Sequence, residues 1–309
     1  MIEHAPWRDA NMDAPVPVLS VRGIKLAAPG RGEDLQLRIS APVTGDDLPI
    51  VLFSHGYGSS MDGYAPLANY WAAHGFVVLQ PTHLDARRLG LAQDDPRRPL
   101  IWRTRVEDMK RILDDLAPVT KSLAGLDGRV NHGLVAAAGH SFGGQTTSML
   151  LGARMLGTDG EGEDMSDDRV KAGILLASGG RGGADLSDLG RRITPYLNSS
   201  FDHMTPPTLV VAGDADHSPL TTRGPDWFAD AYRLSPGKKA LLTLIGGEHM
   251  LGGISGYEVT ETTDENPARV AVVQRVTLAY LRTALQGGIP AWGRRELGAA
   301  ADFEEQAGP

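Results

Sequence analysis

Gly139-His140-Ser141-Phe142-Gly143 is a G-x-S-x-G pentapeptide, the pattern of a nucleophilic serine on a tight strand-to-helix turn. Side chains in place of its glycines would crowd such a turn. Its surroundings suit that setting: the apolar run Leu134–Ala138 leads in, and a helix is expected from Gly143-Gly144 through Leu151. The hydroxyl would then stand above a sheet edge at a helix N-terminus, where the dipole favours developing negative charge. His140, buried beside the turn, cannot also reach the hydroxyl and reads as structural.

Serine attacks a carbonyl only if a histidine takes its proton and a carboxylate orients that histidine. The chain has nine histidines. His249 lies in Gly246-Gly247-Glu248-His249-Met250, directly after the apolar run Leu241–Ile245 and before the last expected helix, where a base belongs. His4, His74, His132, His203 and His217 lie elsewhere, and Glu248 should project away from the site. For the acid, Thr208–Ala212 runs into Gly213-Asp214-Ala215-Asp216-His217. Asp216 fits the Gly-x-x-Asp turn that sets a carboxylate beneath the histidine. Asp214, better suited to capping the turn through backbone N–H groups, is the alternative.

A tetrahedral intermediate needs two donors at its oxygen. One is the N–H of Phe142, the residue after the serine. The second is expected from Ser54-His55-Gly56-Tyr57-Gly58-Ser59-Ser60, which follows Ile50–Phe53; Tyr57 is the chosen donor, its ring over the acyl pocket. Candidate substrate-binding residues are His83 and Asp85, which either line the pocket or tie their loop to Arg87, Arg88, Arg103 or Arg105. Met250 and the stretch Ile254 to Tyr257, just past the histidine, are candidate walls of the site. Trp102, Trp227 and Met250 are equally readable as core.

The elements that must position these residues follow an alternation of apolar runs and amphipathic stretches, the pattern of a mostly parallel sheet flanked by helices. The strand candidates are Ile50–Phe53, Phe76–Leu79, Leu134–Ala138, Ala172–Ala177, Thr208–Ala212 and Leu241–Ile245. Val21–Leu26 and Leu35–Ile39 predict an antiparallel N-terminal hairpin. The spacing predicts a helix over Pro99–Leu123 and a last helix capped by Asn266, with Pro267 in its first turn. The organisation expected is an N-terminal arm over 1–20, one α/β domain over 21–290 with a lid or cap loop at 179–206, and a loosely held tail over 291–309.

These residues resemble the α/β-hydrolase superfamily across roughly Val21 to Leu285. Within it, Ser-His-Gly-Tyr-Gly, Gly-His-Ser-Phe-Gly-Gly, Gly-Asp-Ala-Asp and Gly-Glu-His are similar to the chlorophyllase, platelet-activating-factor acetylhydrolase and polyester-hydrolase neighbourhood. Gln80 to Asp85 and Arg223 to Phe228 look most like bacterial chlorophyllase-like proteins, although Phe142 stands where plant chlorophyllases carry Arg. The resemblance implies carboxylester hydrolysis through an acyl-enzyme, with no cofactor. An amide, thioester or lactone on the same machinery is the alternative, and a non-catalytic binding protein of this fold is the rival of another class.

Composition narrows the remaining choices. A net charge of −8 argues against general nucleic-acid binding. Zero cysteines exclude disulfides, a thiol nucleophile and cysteine-held metals. No run is long enough to span a bilayer, and Met1–Pro15 does not have the make-up of a signal peptide, so a cytoplasmic location is expected. Asp159, Glu161, Glu163, Asp164, Asp167 and Asp168 lack ordered EF-hand spacing and predict a solvated acidic loop rather than a Ca²⁺ or other metal site. The expected partner is a small-molecule or lipid-like ester, met by a monomer or small homo-oligomer.

Overall fold

The computed structural model describes residues 14–258, 263–287 and 301–306. His4 and Trp292 lie outside them. The strands in chain order are β1 (Val18–Leu26), β2 (Leu35–Pro42), β3 (Leu48–Ser54), β4 (Val77–Thr82), β5 (Val130–His140), β6 (Arg154–Met155), β7 (Val170–Leu176), β8 (Ser199–Ser200), β9 (Thr208–Gly213), β10 (Lys239–Leu244) and β11 (Ala301–Gln306). The α-helices are α1 (Ala65–Ala73), α2 (Ile101–Asp114), α3 (Leu116–Lys121), α4 (Phe142–Leu150), α5 (Asp188–Ile193), α6 (Asp230–Leu234) and α7 (Pro267–Gln286).

Nine strands form one sheet in the order β1-β2-β4-β3-β5-β7-β9-β10-β11. The six from β4 to β10 run parallel, while β1, β2 and β11 are antiparallel to their neighbours. The central strands β3, β4 and β9 are buried along their whole length, which explains why they read as continuous apolar runs rather than alternating ones. Helices α1, α2, α4 and α7 pack against this sheet or each other, and Trp71 of α1 donates to Thr277 of α7 at 3.0 Å within the core. No described helix is long and apolar enough to cross a membrane. This is an α/β-hydrolase fold: a mostly parallel sheet between helices, led by an antiparallel hairpin.

Four differences from the sequence expectations have local causes. The helix expected over Pro99–Leu123 divides at Asp115. Pro118 has no N–H for the carbonyl of Asp114 and its ring would clash there, so one continuous helix is excluded. The N-terminal arm is shorter than residues 1–20, because β1 already begins at Val18 and pairs with Pro42. The C-terminal segment, expected as a loose tail over 291–309, contributes β11, which pairs with β10 from Lys239↔Gln306 to Leu244↔Ala301. Its acid-rich sequence has low strand propensity, and only Ala301 is buried, so pattern alone hides it. Finally, residues 179–206, expected as a lid or cap, hold α5 and β8, and none of them lines the cleft at the sheet's carboxyl edge.

The last helix begins as its cap predicts, with Asn266 Oδ1 accepting from the N–H groups of Ala268 (3.0 Å) and Arg269 (3.2 Å). In the acidic loop, Glu163 pairs with Arg103 and Asp164 with Arg154, while Asp167 holds Arg169 at 2.7 Å.

Candidate active site

The loops following β3, β4, β5, β9 and β10 all emerge at the carboxyl edge of the sheet, where open α/β folds bind ligands. Ser141 follows β5 with φ 54° and ψ −119°, a conformation that strains any residue with a side chain. Close packing on either side holds it there. A Cβ on Gly143 would lie 1.9 Å from the Ser54 carbonyl oxygen, and one on Gly139 2.1 Å from that of Gly143. Gly143→Ala should therefore cost about 1–3 kcal/mol or more through overpacking against backbone that cannot swing aside. Urea denaturation of the variant beside the parent checks this.

Ser141 Oγ lies 2.9 Å from His249 Nε2, and His249 Nδ1 lies 2.9 Å from Asp216 Oδ2. Asp216 is buried, whereas the His249 ring remains partly open to solvent. A carboxylate only accepts, so Nδ1 carries the proton and Nε2 is left to accept from the serine. Asp214, the alternative acid, points elsewhere: its Oδ1 accepts from Gly246 N–H at 2.6 Å and so ties the turn after β9 to the turn after β10. The base loop is fixed further by Asp264, which accepts from Glu248 N–H (2.7 Å) and Gly252 N–H (3.0 Å). Glu248 itself bonds to Thr263 and does not face the site.

Phe142 opens α4, so its N–H is among the first four donors that have no partner inside the helix. On the facing loop, Gly56 N–H donates to Tyr64 Oη (3.0 Å) and Gly58 N–H to Asp85 Oδ2 (3.1 Å). Tyr57 N–H, between them, has no hydrogen bond among the described residues. Buried side chains thus occupy the donors on either side and leave the middle one available.

The cleft above these groups holds about 230 Å³ and includes Tyr57, Arg87, Ser141, His249, Met250 and Glu258 in its lining. Of the candidate substrate-binding residues, Met250 is present. Ile254 is not: it is fully buried in the hydrophobic core. His83 and Asp85 are also displaced from the cleft, into a buried polar layer beneath the Ser54–Ser60 loop. His83 bonds Ser54 Oγ and Asp108 Oδ2, both at 2.9 Å, and Asp108 in turn binds Arg31 at 2.7 Å. Asp85 pairs with Arg105 at 2.8 Å, and Arg105 also donates to the carbonyl of His55. Of the two roles open to them, tying the loop is the one the structure shows, because each already has its charge or ring nitrogen satisfied by buried partners. Burial raises the Asp85 carboxyl, but Arg105 more than reverses this and holds it well below the ordinary carboxylate range.

Of the four arginines the sequence offers as ties for this loop, Arg105 is the one that takes Asp85, and its reach to Phe142 is what the pattern does not reveal. Its Cζ lies 4.4 Å from the centroid of the Phe142 ring, so one buried cation supports both donor-bearing segments, by hydrogen bonds on one side and a cation–π contact on the other. Trp102 stacks on Tyr196, which neighbours the same Phe142 ring, while Trp227 packs with Phe228 against the far side of His249.

His140 supplies a second cross-tie. Burial pushes its ring down to about 3, so it is neutral. Its Nε2 faces the His249 carbonyl at 2.7 Å and must donate; its Nδ1 therefore accepts from Tyr64 Oη at 2.8 Å. The chain Gly56 N–H, Tyr64, His140, His249 carbonyl joins the donor loop to the base loop with every direction determined. Tyr64 has φ 63° and is held by its N–H to the Ser255 carbonyl at 3.0 Å.

A family model described as platelet-activating factor acetylhydrolase, isoform II, matches residues 36–90. No curated protein matches the chain. The matched stretch runs from β2 through the donor loop and α1 to the turn beyond β4, which includes Tyr57, Tyr64, His83, Asp85 and Arg87. An α/β-hydrolase fold thus carries, on the donor side of its cleft, a segment similar to the platelet-activating factor acetylhydrolase family.

Proposed function

We propose that this chain hydrolyses carboxylic esters through an acyl-enzyme formed on Ser141. The observation that carries the reading is the Asp216–His249–Ser141 arrangement, with 2.9 Å at each contact, at the mouth of a cleft. His249 Nε2 takes the serine proton as Oγ bonds to the ester carbonyl carbon. The carbonyl oxygen becomes an oxyanion and is met by the N–H groups of Phe142 and Tyr57. Asp216 holds the proton on Nδ1 and stabilises the imidazolium so formed. His249 then protonates the departing alcohol oxygen, and the carbon–oxygen bond to the leaving group breaks. Water repeats the cycle on the acyl-enzyme, with its proton passing to Nε2 and the acid product leaving.

The family similarity supports ester chemistry, since that family is named for an acetylhydrolase. A fluorophosphonate probe should label the protein at one site, Ser141, and His249→Ala should slow labelling by at least roughly a thousandfold. A protein that keeps the fold only to bind would take no label, and that outcome would overturn the reading. A panel of p-nitrophenyl esters graded by acyl length then separates ester cleavage from labelling by an amidase or thioesterase that ignores esters.

A further inference from the structure

Six arginines crowd residues 87–105, and five have acceptors. Arg88 pairs with Asp62 at 2.7 Å, Arg97 with Asp95 at 2.7 Å, Arg103 with Glu163, and Arg105 with Asp85. Arg98 donates to the carbonyls of Leu91 and Ala92. The guanidinium of Arg87 has no hydrogen bond or ion pair among the described residues, and Arg87 is the one of the six that lines the cleft.

Arg87 is also placed rather than loose. Its backbone N–H donates to the Gly58 carbonyl at 3.0 Å. Its side chain lies against the bare Cα of Gly58, where a Cβ would stand 3.0 Å from Nε and 3.2 Å from Cγ. The guanidinium thus lies against Gly58, the residue after Tyr57, and lines the same cleft as Tyr57. The other charged residue of the lining, Glu258, already accepts from the hydroxyls of Ser59 and Ser60. The cleft therefore offers one satisfied anion and one unsatisfied cation.

We propose that Arg87 binds a carboxylate carried by the substrate away from the scissile bond, which makes the cleft selective for acidic esters such as half-esters of dicarboxylic acids. The planar fork of a guanidinium suits a carboxylate, and an unused one at a cleft wall gains most from an anionic ligand. The inference rests on the ester-hydrolase reading and names its substrate class. Because the contact lies away from the reacting carbon, it is made equally in ground and transition states and should appear in KM more than in kcat.

The test compares mono-p-nitrophenyl glutarate with p-nitrophenyl butyrate, and 3-carboxyphenyl butyrate with phenyl butyrate, so that the carboxylate is carried on the acyl side and then on the alcohol side. The parent protein should prefer the acidic member of at least one pair by about tenfold in kcat/KM, mainly through KM. The preference should shrink at high salt. Arg87→Gln should bring that ratio near one, and Arg87→Lys should restore part of it. No preference in either pair, or a preference that survives Arg87→Gln, overturns the inference. If the neutral esters are cleaved while no preference is seen, only the role of Arg87 fails; if no ester is cleaved at all, the underlying reading fails with it.

Discussion

Ser141→Ala should lower kcat for a p-nitrophenyl ester by roughly four to six orders of magnitude while leaving the thermal midpoint close to that of the parent. The size follows from cooperation: without the hydroxyl 2.9 Å from His249 Nε2, neither the base nor its carboxylate has a proton to move. Asp216→Asn should approach the same loss, about 10⁴-fold, by a different route. An amide at 216 can donate to Nδ1, which moves the ring proton to Nε2 and turns the acceptor facing the serine into a second donor. Stopped-flow or steady-state release of p-nitrophenolate measures both. An alanine variant that keeps more than about one per cent of the parent rate would show that Ser141 is not the nucleophile.

The second large effect concerns acid. His55, His83 and His140 are all buried, and burial pushes each ring down, well below the ordinary histidine range for His55 and His83 and to about 3 for His140. Nearby Arg105 depresses His55 and His83 further. Each neutral ring uses one nitrogen as an acceptor toward a buried donor: His83 N–H for His55, Ser54 for His83 and Tyr64 for His140. A proton on His55 would set donor against donor, and one on His83 or His140 would force the Ser54 or Tyr64 hydroxyl to turn from donor to acceptor.

Below about pH 6.5 the unfolded chain takes up protons that the folded chain refuses, so stability falls as pH falls. Asp108 acts in the opposite sense. Burial, resisted by Arg31, pushes its carboxyl up to about 6. Between pH 6 and 4 the folded state therefore holds one proton that the unfolded state lacks. Three rings that resist protonation outweigh one carboxyl that accepts it, so stability should fall as pH falls below about 6.5. Urea titrations at pH 7, 6, 5.5 and 5 measure the slope directly. A stability that stays flat from pH 7 to 5 would contradict the account of these three rings.

The site's main line was legible in the chain because each member sits just past an apolar run. Ser141, Asp216 and His249 follow β5, β9 and β10, and in a parallel sheet the ends of such strands share one edge. Tyr57 was legible for the same reason. What escaped was whatever depends on side chains reaching across the fold. His83 and Asp85 follow β4 at the same edge, yet Asp108 and Arg105, both on α2, draw them beneath the surface. Arg105 was one of four arginines open to this role, but nothing local singles it out, since it lies on a helix whose pattern shows only amphipathicity. Ile254 stands five residues after His249, but the positive φ of Leu251, Gly252 and Gly253 folds the chain back and carries it into the core. The strand at 301–306 was hidden by its acids, as an edge strand that contributes one buried side chain is bound to be.

One consequence of the loop arrangement belongs to the time course of synthesis. Ser141 and His249, the nucleophile and base of the proposed mechanism, are separated by 108 positions, and Asp216 lies between them. As the chain is made from its N-terminus, β3, β4 and β5 can pair and the strained turn at Ser141 can form while β9 and β10 are still absent. On the proposed mechanism, a nascent or truncated chain ending before His249 carries the serine without the base that would ionise it, and should be inert toward esters. The contact between Ser141 and His249 spans 108 positions, and loop-closure entropy places contacts of that range late in folding. In that mechanism reactivity is conferred by completion, which keeps the serine silent for as long as the chain is unfinished.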